Sequence, residues 1–435
     1  MNTFKNLTIF FFISFLGLAE AKSFHTERWL TPNGTRVVFY QTKEVPILDI
    51  QIAFAAGSAY DDKHFGLSTL TTNLLNQGNA GLNATEIAER LAETGAQYSA
   101  DSSRDMVAVS LRTLTRQDAL QKAVDTFIQI IGQPDFPEQA VEREKKQQIT
   151  AIEQSMESPD RVATDAFFKL LYQQHPYAHP VLGTVNQVQA LSRKEVMQFY
   201  KTYFVAANAV LVIVGDIDSS SAHQLAESIS KNLPRGTFAS TIPKAKAAAK
   251  TKELNIPYPS SQTILRMGQL GIDHHSPIYF PLMVGNYILG GGSLVSQLAI
   301  EVREKRGLTY GAYSQFIPMP GDGPFLISLS TKNEQAKEAL NVTMNTVKNF
   351  LSKGPDEIEL RAAKQYLTGS FPLSLASNKN IATMLLKIAF YHLPDDFLDT
   401  YIKNVEQVSL KDIEQAFKQE IHPDKFLFVT VGRQA

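Results

Sequence analysis

Nine histidines and no cysteine make up the chain's stock of soft metal-binding side chains. Only His175 and His179 stand four apart, the spacing that puts two imidazoles on one face of a helix. Pro176 and Pro180 adjoin them and no glutamate lies between, so this segment reads as a loop. His274 and His275 are neighbours in a polar turn, and His64 has no partner at ligand spacing. All five read as exposed or structural histidines. Without cysteine there is no disulfide, thiol nucleophile, thiolate metal site or lipid-modified N-terminal Cys. No Gly-x-Ser-x-Gly elbow and no P-loop occur. Gly290-Gly291-Gly292 is not followed by Lys-Ser/Thr, which argues against a phosphate cradle. Arg303-Glu304-Lys305-Arg306, taken alone, is a solvated charged cluster, and Tyr310 a sheet tyrosine.

The elements that must position these residues follow from pattern. Asn33-Gly34 between apolar runs signals a hairpin into Arg36-Val37-Val38-Phe39-Tyr40. Ile47 to Ala56 alternates as a strand, and Gly66 to Asn76 and Thr85 to Thr94 have helical spacing. Val107 to Leu111 returns to strand. A long helical stretch from about 117 to 156 is broken at Pro134 and Pro137, and Val210 to Val214 is a short apolar strand. Pro234-Arg235-Gly236 leads into an Ala/Lys run from Pro243 to Lys250, read as an exposed linker, partly helical, or as a basic recognition segment.

After this run the pattern repeats. Ser192 opens a helix that precedes a strand ending at Gly215, and Ser409 opens one that precedes a strand ending at Gly432. Asn73-Leu74-Leu75-Asn76-Gln77-Gly78 is echoed by Asn286-Tyr287-Ile288-Leu289-Gly290-Gly291 at a similar offset. Two ordered echoes argue for a duplicated α+β half of about 210 residues. The boundaries read as a leader over 1–21, a first domain over 22–233, a linker over 234–252 and a second domain over 253–435.

The bulk numbers bound the rest. Of 435 residues, 44% are hydrophobic and 20% charged, enough to bury large cores. Lys+Arg 42 against Asp+Glu 43 gives no electrostatic case for nucleic acid or an anionic membrane. Lys5, the apolar Leu7–Leu18 stretch and Ala19-Glu20-Ala21 form a secretory signal, too short for the ~20 residues of a spanning helix. The expected product is exported, soluble and periplasmic, a compartment in which a cysteine-free chain is at ease.

Taken in order, Leu30-Thr31-Pro32-Asn33-Gly34, Ala56-Gly57-Ser58, Gly66-Leu67, Gly95-Ala96, His175-Pro176-Tyr177, Gly183 and Val212-Ile213-Val214-Gly215-Asp216 resemble the first half of the pitrilysin/insulinase/mitochondrial processing peptidase family. Leu289-Gly290-Gly291-Gly292-Ser293 and Val302-Arg303-Glu304-Lys305-Arg306-Gly307-Leu308-Thr309-Tyr310 resemble the second half. The resemblance implies two homologous domains, each a mostly antiparallel sheet packed with helices, forming half of a clam-shell chamber. Active members bind zinc through a helical His-x-x-Glu-His and a later glutamate. By register, Thr69 and Asn73 stand at the ligand positions and Thr72 at the general base. The later glutamate falls near Ala151, with Glu153 close by. Thr and Asn are poor zinc ligands, and Thr72 cannot act as a carboxylate base.

The resemblance further implies that Arg303 and Tyr310 face a zinc site across the chamber and support the charged intermediate. Arg offers a fixed cation with a fork of donors and Tyr one directed hydroxyl. Gly290, Gly291 and Gly292 become a wall that touches incoming peptide, a reading compatible with a helix-ending loop. The expected function is therefore a non-catalytic subunit that binds no metal itself. It pairs as a heterodimer with a zinc-bearing paralogue and acts on extended peptides added as a strand to a sheet edge in that partner. The alternatives are an inert scaffold of the same fold and a self-sufficient peptidase with an unrecognised metal site.

Overall fold

The computed structural model describes residues 24–433. The leader expected over 1–21 lies outside them. Two sheets carry the fold. The first is built from β1 (Glu27–Leu30), β2 (Arg36–Gln41), β3 (Ile47–Phe54), β6 (Gln97–Ser102), β7 (Val107–Leu114) and β8 (Ala209–Gly215), with a two-residue hairpin, β4 (Gly78–Asn79) and β5 (Leu82–Asn83), standing apart. The second is built from β9 (Lys252–Pro257), β10 (Gln262–Leu270), β11 (Ala312–Phe316), β12 (Pro324–Lys332) and β13 (Leu427–Gly432).

Read from its β6 edge, the first sheet runs β6-β7-β3-β8-β2-β1, and the second β11-β12-β10-β13-β9. In each, one pair is parallel (β2 with β8, β9 with β13) and the remaining pairs are antiparallel. The two halves thus share a topology, as the sequence echoes implied, with β1 an extra edge strand in the first. The two echoed serines open equivalent helices with capping boxes, Ser192 with Glu195 and Ser409 with Asp412.

The helices are α1 (Leu67–Leu74), α2 (Ala84–Glu93), α3 (Gln117–Gly132), α4 (Glu138–Met156), α5 (Pro159–Tyr172), α6 (Val185–Ala190), α7 (Arg193–Tyr203) and α8 (Ser219–Lys231) in the first half. In the second they are α9 (Tyr279–Asn286), α10 (Ala336–Lys353), α11 (Glu357–Ser374), α12 (Asn378–Phe390), α13 (Phe397–Gln407) and α14 (Leu410–Glu420). Each half covers one face of its own sheet. The other face is covered by a helix from the opposite half. Phe167, Phe168, Leu171 and Tyr172 of α5 pack on Ile264, Leu427, Val429 and Val431 of the second sheet. Ile381, Ala382, Leu385 and Leu386 of α12 pack on Val38, Val210, Val212 and Val214 of the first. Each such large apolar side chain contributes about 1.5–3 kcal/mol on burial. This exchange explains why Ala209-Val210-Leu211-Val212-Ile213-Val214 has no polar alternation: both faces of that strand are dry.

Polar seams accompany the exchange. Arg266 on β10 is buried and pairs with Asp160 on α5, and Gln51 on β3 donates to Thr383 on α12 at 3.0 Å. Between the halves, Asp105 accepts hydrogen bonds from the Tyr177 hydroxyl at 2.5 Å and the Tyr391 hydroxyl at 3.0 Å. The Gly321 N–H donates to the Tyr177 oxygen at 3.4 Å. Residues 234–251 contain no helix. His175 Nε2 holds the Pro243 carbonyl at 2.8 Å, Lys244 reaches both Asp273 and Asp322 at 2.6 Å, and Ala245 N–H donates to Gly321. These tertiary contacts outweigh the helix propensity of the alanines.

His274 stacks on Tyr391 with ring centres 3.7 Å apart, and burial pushes its pKa down to about 4. The unfolded chain takes up this proton near 6.5, the folded chain only near 4. Between those values the unfolded state binds more protons, so stability is lost as pH falls through the window, by up to ~1.4 kcal/mol per pH unit. Urea unfolding at a series of pH values is expected to show a shallower acid slope for His274→Asn than for the unaltered chain. Equal slopes would remove His274 from the account.

Candidate functional site

Helix α1 carries Thr69, Thr72 and Asn73, which stand at the family's zinc-ligand and general-base positions. Gly66 precedes it at φ 94°, a left-handed conformation, and a Cβ there would lie 2.6 Å from the Leu182 carbonyl oxygen. Both Asp61 carboxylate oxygens accept from the start of this helix, one from Gly66 N–H and one from Ser68 N–H, each at 2.7 Å. The Thr69 hydroxyl donates to the Val181 carbonyl at 2.9 Å, and the Thr72 hydroxyl to the Ser68 carbonyl at 2.8 Å. Both threonines are buried, whereas Asn73 is exposed. Helix α4 packs against α1 and carries Ala151, half-buried and without a donor atom.

The residue that ties these two helices is Gln148, 3% exposed, whose Nε2 donates to the Gly66 carbonyl at 3.0 Å and the Leu182 carbonyl at 2.8 Å. It lies three residues before Ala151, on the same helical face. Sequence reasoning passed over both Gln148 and Asp61. An Asp shortly before a Gly-Leu-Ser helix start was a legible capping signal for the latter. Gln148 carried none, because its partners are carbonyls distant in sequence.

The residues at this place do not fit zinc. Thr69 and Thr72 spend their hydroxyls on backbone carbonyls, and Ala151 offers nothing. Among the described residues no three His, Cys, Asp or Glu side chains gather where they could hold a metal ion. Nor do His175 and His179 point to one. His175 bonds the Pro243 carbonyl, and His179 stacks on Phe65 at 4.2 Å and is shifted toward its neutral form by burial. Elemental analysis of exhaustively dialysed protein is expected to find far less than one zinc per chain. A stoichiometric value would overturn this reading.

In the second half, the other predicted residues share one segment. Tyr287–Gly291 and Ala299–Glu304 are both π-helical turns, an uncommon backbone form concentrated at functional sites. Gly290 is buried, and a Cβ there would lie 2.4 Å from Ser314 Oγ on β11. A Cβ on Gly292 would lie 2.7 Å from the Tyr287 carbonyl oxygen, and one on Gly291 2.9 Å from Asn286 Nδ2. None of the three has a positive φ. Close backbone packing, rather than a left-handed turn, accounts for the glycines.

Arg303 lies in the second π-helical turn. Its neighbours Lys305 and Arg306 are held by Glu301 at 2.6 and 2.7 Å. Arg303 itself is exposed and has no ion pair among the described residues. The chain then folds back, with Leu308 N–H donating to the Val302 carbonyl at 3.0 Å and Thr331 Oγ1 to the Leu308 carbonyl at 2.6 Å. The Thr309 hydroxyl donates to the Gly311 carbonyl at 2.8 Å and accepts from Gly311 N–H at 3.1 Å. Leu308 and Ala312 are buried on either side of this turn, so Tyr310 is thrust outward, 84% exposed, its hydroxyl without a hydrogen bond among the described residues. A tyrosine so presented lacks a packing role. In the second half Arg303, Tyr310 and Gly291 are exposed, while Gly290 and Gly292 are buried. Thr69, Thr72, Asn73 and Ala151 cluster in the first.

Comparison with known proteins matches both halves. The family described as Insulinase (Peptidase family M16) matches residues 36–185, and that described as Peptidase M16 inactive domain matches residues 190–367. A Pseudomonas fluorescens structure, described as a peptidase M16 inactive domain, superposes with a TM-score of 0.92 at 34% identity, covering 94% of this chain and 98% of that one. A protease structure from Helicobacter pylori superposes with a TM-score of 0.87 at 18% identity, covering 94% and 99%. A Helicobacter pylori relative named non-peptidase homolog YmxG is 24% identical over 97% of this chain and 96% of its own. A Bacillus subtilis relative named uncharacterized zinc protease YmxG is 24% identical over 90% and 95%.

Proposed function

The chain belongs to the insulinase-type M16 peptidase family, and from that premise we propose that it is a non-catalytic subunit of an exported peptidase. A zinc-bearing paralogue supplies the metal, its ligands and the general base. This chain supplies Arg303 and Tyr310, and Gly290–Gly292 form part of the wall along which an extended peptide runs. The observation that carries the reading is the contrast between the two sites. At α1 the side chains that would do chemistry are replaced by groups satisfied within the protein. At 303–310 an arginine and a tyrosine are held out to solvent, with no ion pair or hydrogen bond from either side chain among the described residues.

Chemically, hydrolysis of a peptide bond places negative charge on the attacked carbonyl oxygen. A guanidinium and a phenol aimed at that oxygen stabilise the transition state more than the ground state. Both groups can act across a subunit boundary, because hydrogen-bond donors need position and not covalent connection to the metal ligands. Zinc chemistry belongs to the paralogue, and no step is assigned to zinc in this chain.

The test is reconstitution. The chain alone, and the paralogue alone, are expected to be inactive on an extended reporter peptide, and their mixture active. A mixture no more active than the paralogue would overturn the reading and leave an inert member of the fold. Among the described residues no helix is long and apolar enough to cross a membrane.

A further inference from the structure

Arg28 and Arg36 lie on one face of the β1–β2 ribbon. The register sets Arg28 opposite Val38 and Leu30 opposite Arg36, so the two arginines are diagonal neighbours. They border a cleft of about 660 Å³ whose facing wall comes from the second half, at Ala389 and His392–Asp395. Arg28 Nη1 meets Asp395 at 3.0 Å, and that carboxylate is largely exposed. Arg36 has no carboxylate partner among the described residues. Its Nη1 faces the Ala389 carbonyl at 3.1 Å and the His392 ring at 3.0 Å.

Three guanidinium nitrogens, Arg28 Nε and Nη2 and Arg36 Nε, are buried with no acceptor among the described residues. An arginine withdrawn from water without a counter-charge is costly, and burial alone pulls the Arg36 pKa down. His392 is held toward its neutral form by burial and by Arg36, and its backbone stands at φ 55°, a left-handed conformation uncommon outside glycine. The cleft therefore holds two cations against one anion, with Leu30, 66% exposed, and Leu393 as apolar lining.

We infer that Arg28 and Arg36, faced by His392 and Asp395 across the seam between the halves, bind a monocarboxylate with an apolar body. The guanidinium fork matches the two carboxylate oxygens. The residual charge of the cleft fits a monoanion better than a phosphate monoester, which carries about −1.5 to −2 at neutral pH. Two sources share this chemistry: the free C terminus of a peptide ending in an apolar residue, and a medium-chain fatty acid. Among the described residues the outer edge of β1 is unpaired, which suits an extended peptide laid alongside it. This site lies on β1 and β2, apart from the 287–314 segment, and does not depend on the reading given to Arg303 and Tyr310.

The test is calorimetric titration of the full chain with three probes: octanoate, an N-acetylated tripeptide ending in leucine with a free carboxylate, and the C-terminal amide of that tripeptide. At least one of the two acids is expected to bind with Kd near or below about 1 mM, and which one binds identifies the source. The amide is expected to bind at least ~10-fold more weakly than the acid tripeptide where that acid binds. Arg36→Gln is expected to weaken acid binding by roughly 10–100-fold. Asp395→Asn, at an exposed position, is expected to tighten it by freeing Arg28. Failure of both acids to bind, or equal binding of the tripeptide acid and its amide, would overturn the proposal. So would unchanged affinity in a folded Arg36→Gln chain. Should Arg36→Gln fail to fold, unchanged affinity in Asp395→Asn overturns it equally.

Discussion

Replacing Tyr310 with phenylalanine is expected to slow the reconstituted two-chain peptidase by roughly 10²–10³-fold, the usual effect of removing one donor aimed at a developing oxyanion. Assembly and stability are expected to stay unchanged. The physical reason lies in the local structure. Tyr310 is 84% exposed, and its hydroxyl makes no hydrogen bond among the described residues. Its loss therefore leaves no buried group unsatisfied and opens no cavity, the two routes by which such a substitution would destabilise. Arg303→Ala is expected to act on both kcat and KM, since a guanidinium can hold the substrate backbone before reaction as well as the charge during it. It too leaves no broken ion pair behind, because Lys305 and Arg306, not Arg303, answer Glu301. A packing role for either residue predicts the opposite pattern: altered melting or assembly, with unchanged turnover per assembled complex. Full turnover in both variants would leave this chain a wall without chemistry.

Asp105→Ala is expected to be the most damaging single change at the seam between the halves, by roughly 3–5 kcal/mol. Asp105 is 5% exposed and accepts from Tyr177 of the first half and Tyr391 of the second. Removing the carboxylate leaves the buried Tyr177 hydroxyl and the part-buried Tyr391 hydroxyl without their acceptor, and Tyr177 also receives the Gly321 N–H. Thermal unfolding measures the loss. A second readout isolates the seam from general stability. Limited proteolysis between 234 and 252 is expected to leave the two halves associated, because α5 and α12 each cover the other half's sheet. The same cut in Asp105→Ala is expected to release them at lower denaturant. Fragments that separate at once in the unaltered chain would mean that the exchanged helices contribute little.

Much of the fold was legible because it rests on local rules. Pro134 and Pro137 divided the helical stretch where α3 ends and α4 begins, since proline cannot donate the helical hydrogen bond. The two serine-capped helices were readable because a capping box is a contact within four residues. The duplication was readable because both halves repeat the same order of such local signals. The Ala/Lys run, whose composition favours helix, contains none, for the converse reason. Its conformation is set by His175, Asp273, Asp322 and Gly321, all of them far along the chain.

The sequence by itself, through its resemblance to the family, set Thr69, Thr72, Asn73 and Ala151 at the positions of zinc ligands and general base, where Thr and Asn are poor ligands and none of the four carries a carboxylate. It also determined two halves of one topology, because hydrophobic period and helix caps act over a few residues. Only the tertiary structure decided which sheet each helix would cover, where Asp105 would find its two tyrosines, and which arginine of a charged cluster would stand free. Those outcomes depend on contacts between residues hundreds of positions apart. Their energies come from burial and desolvation, which no stretch of sequence carries until the chain has folded.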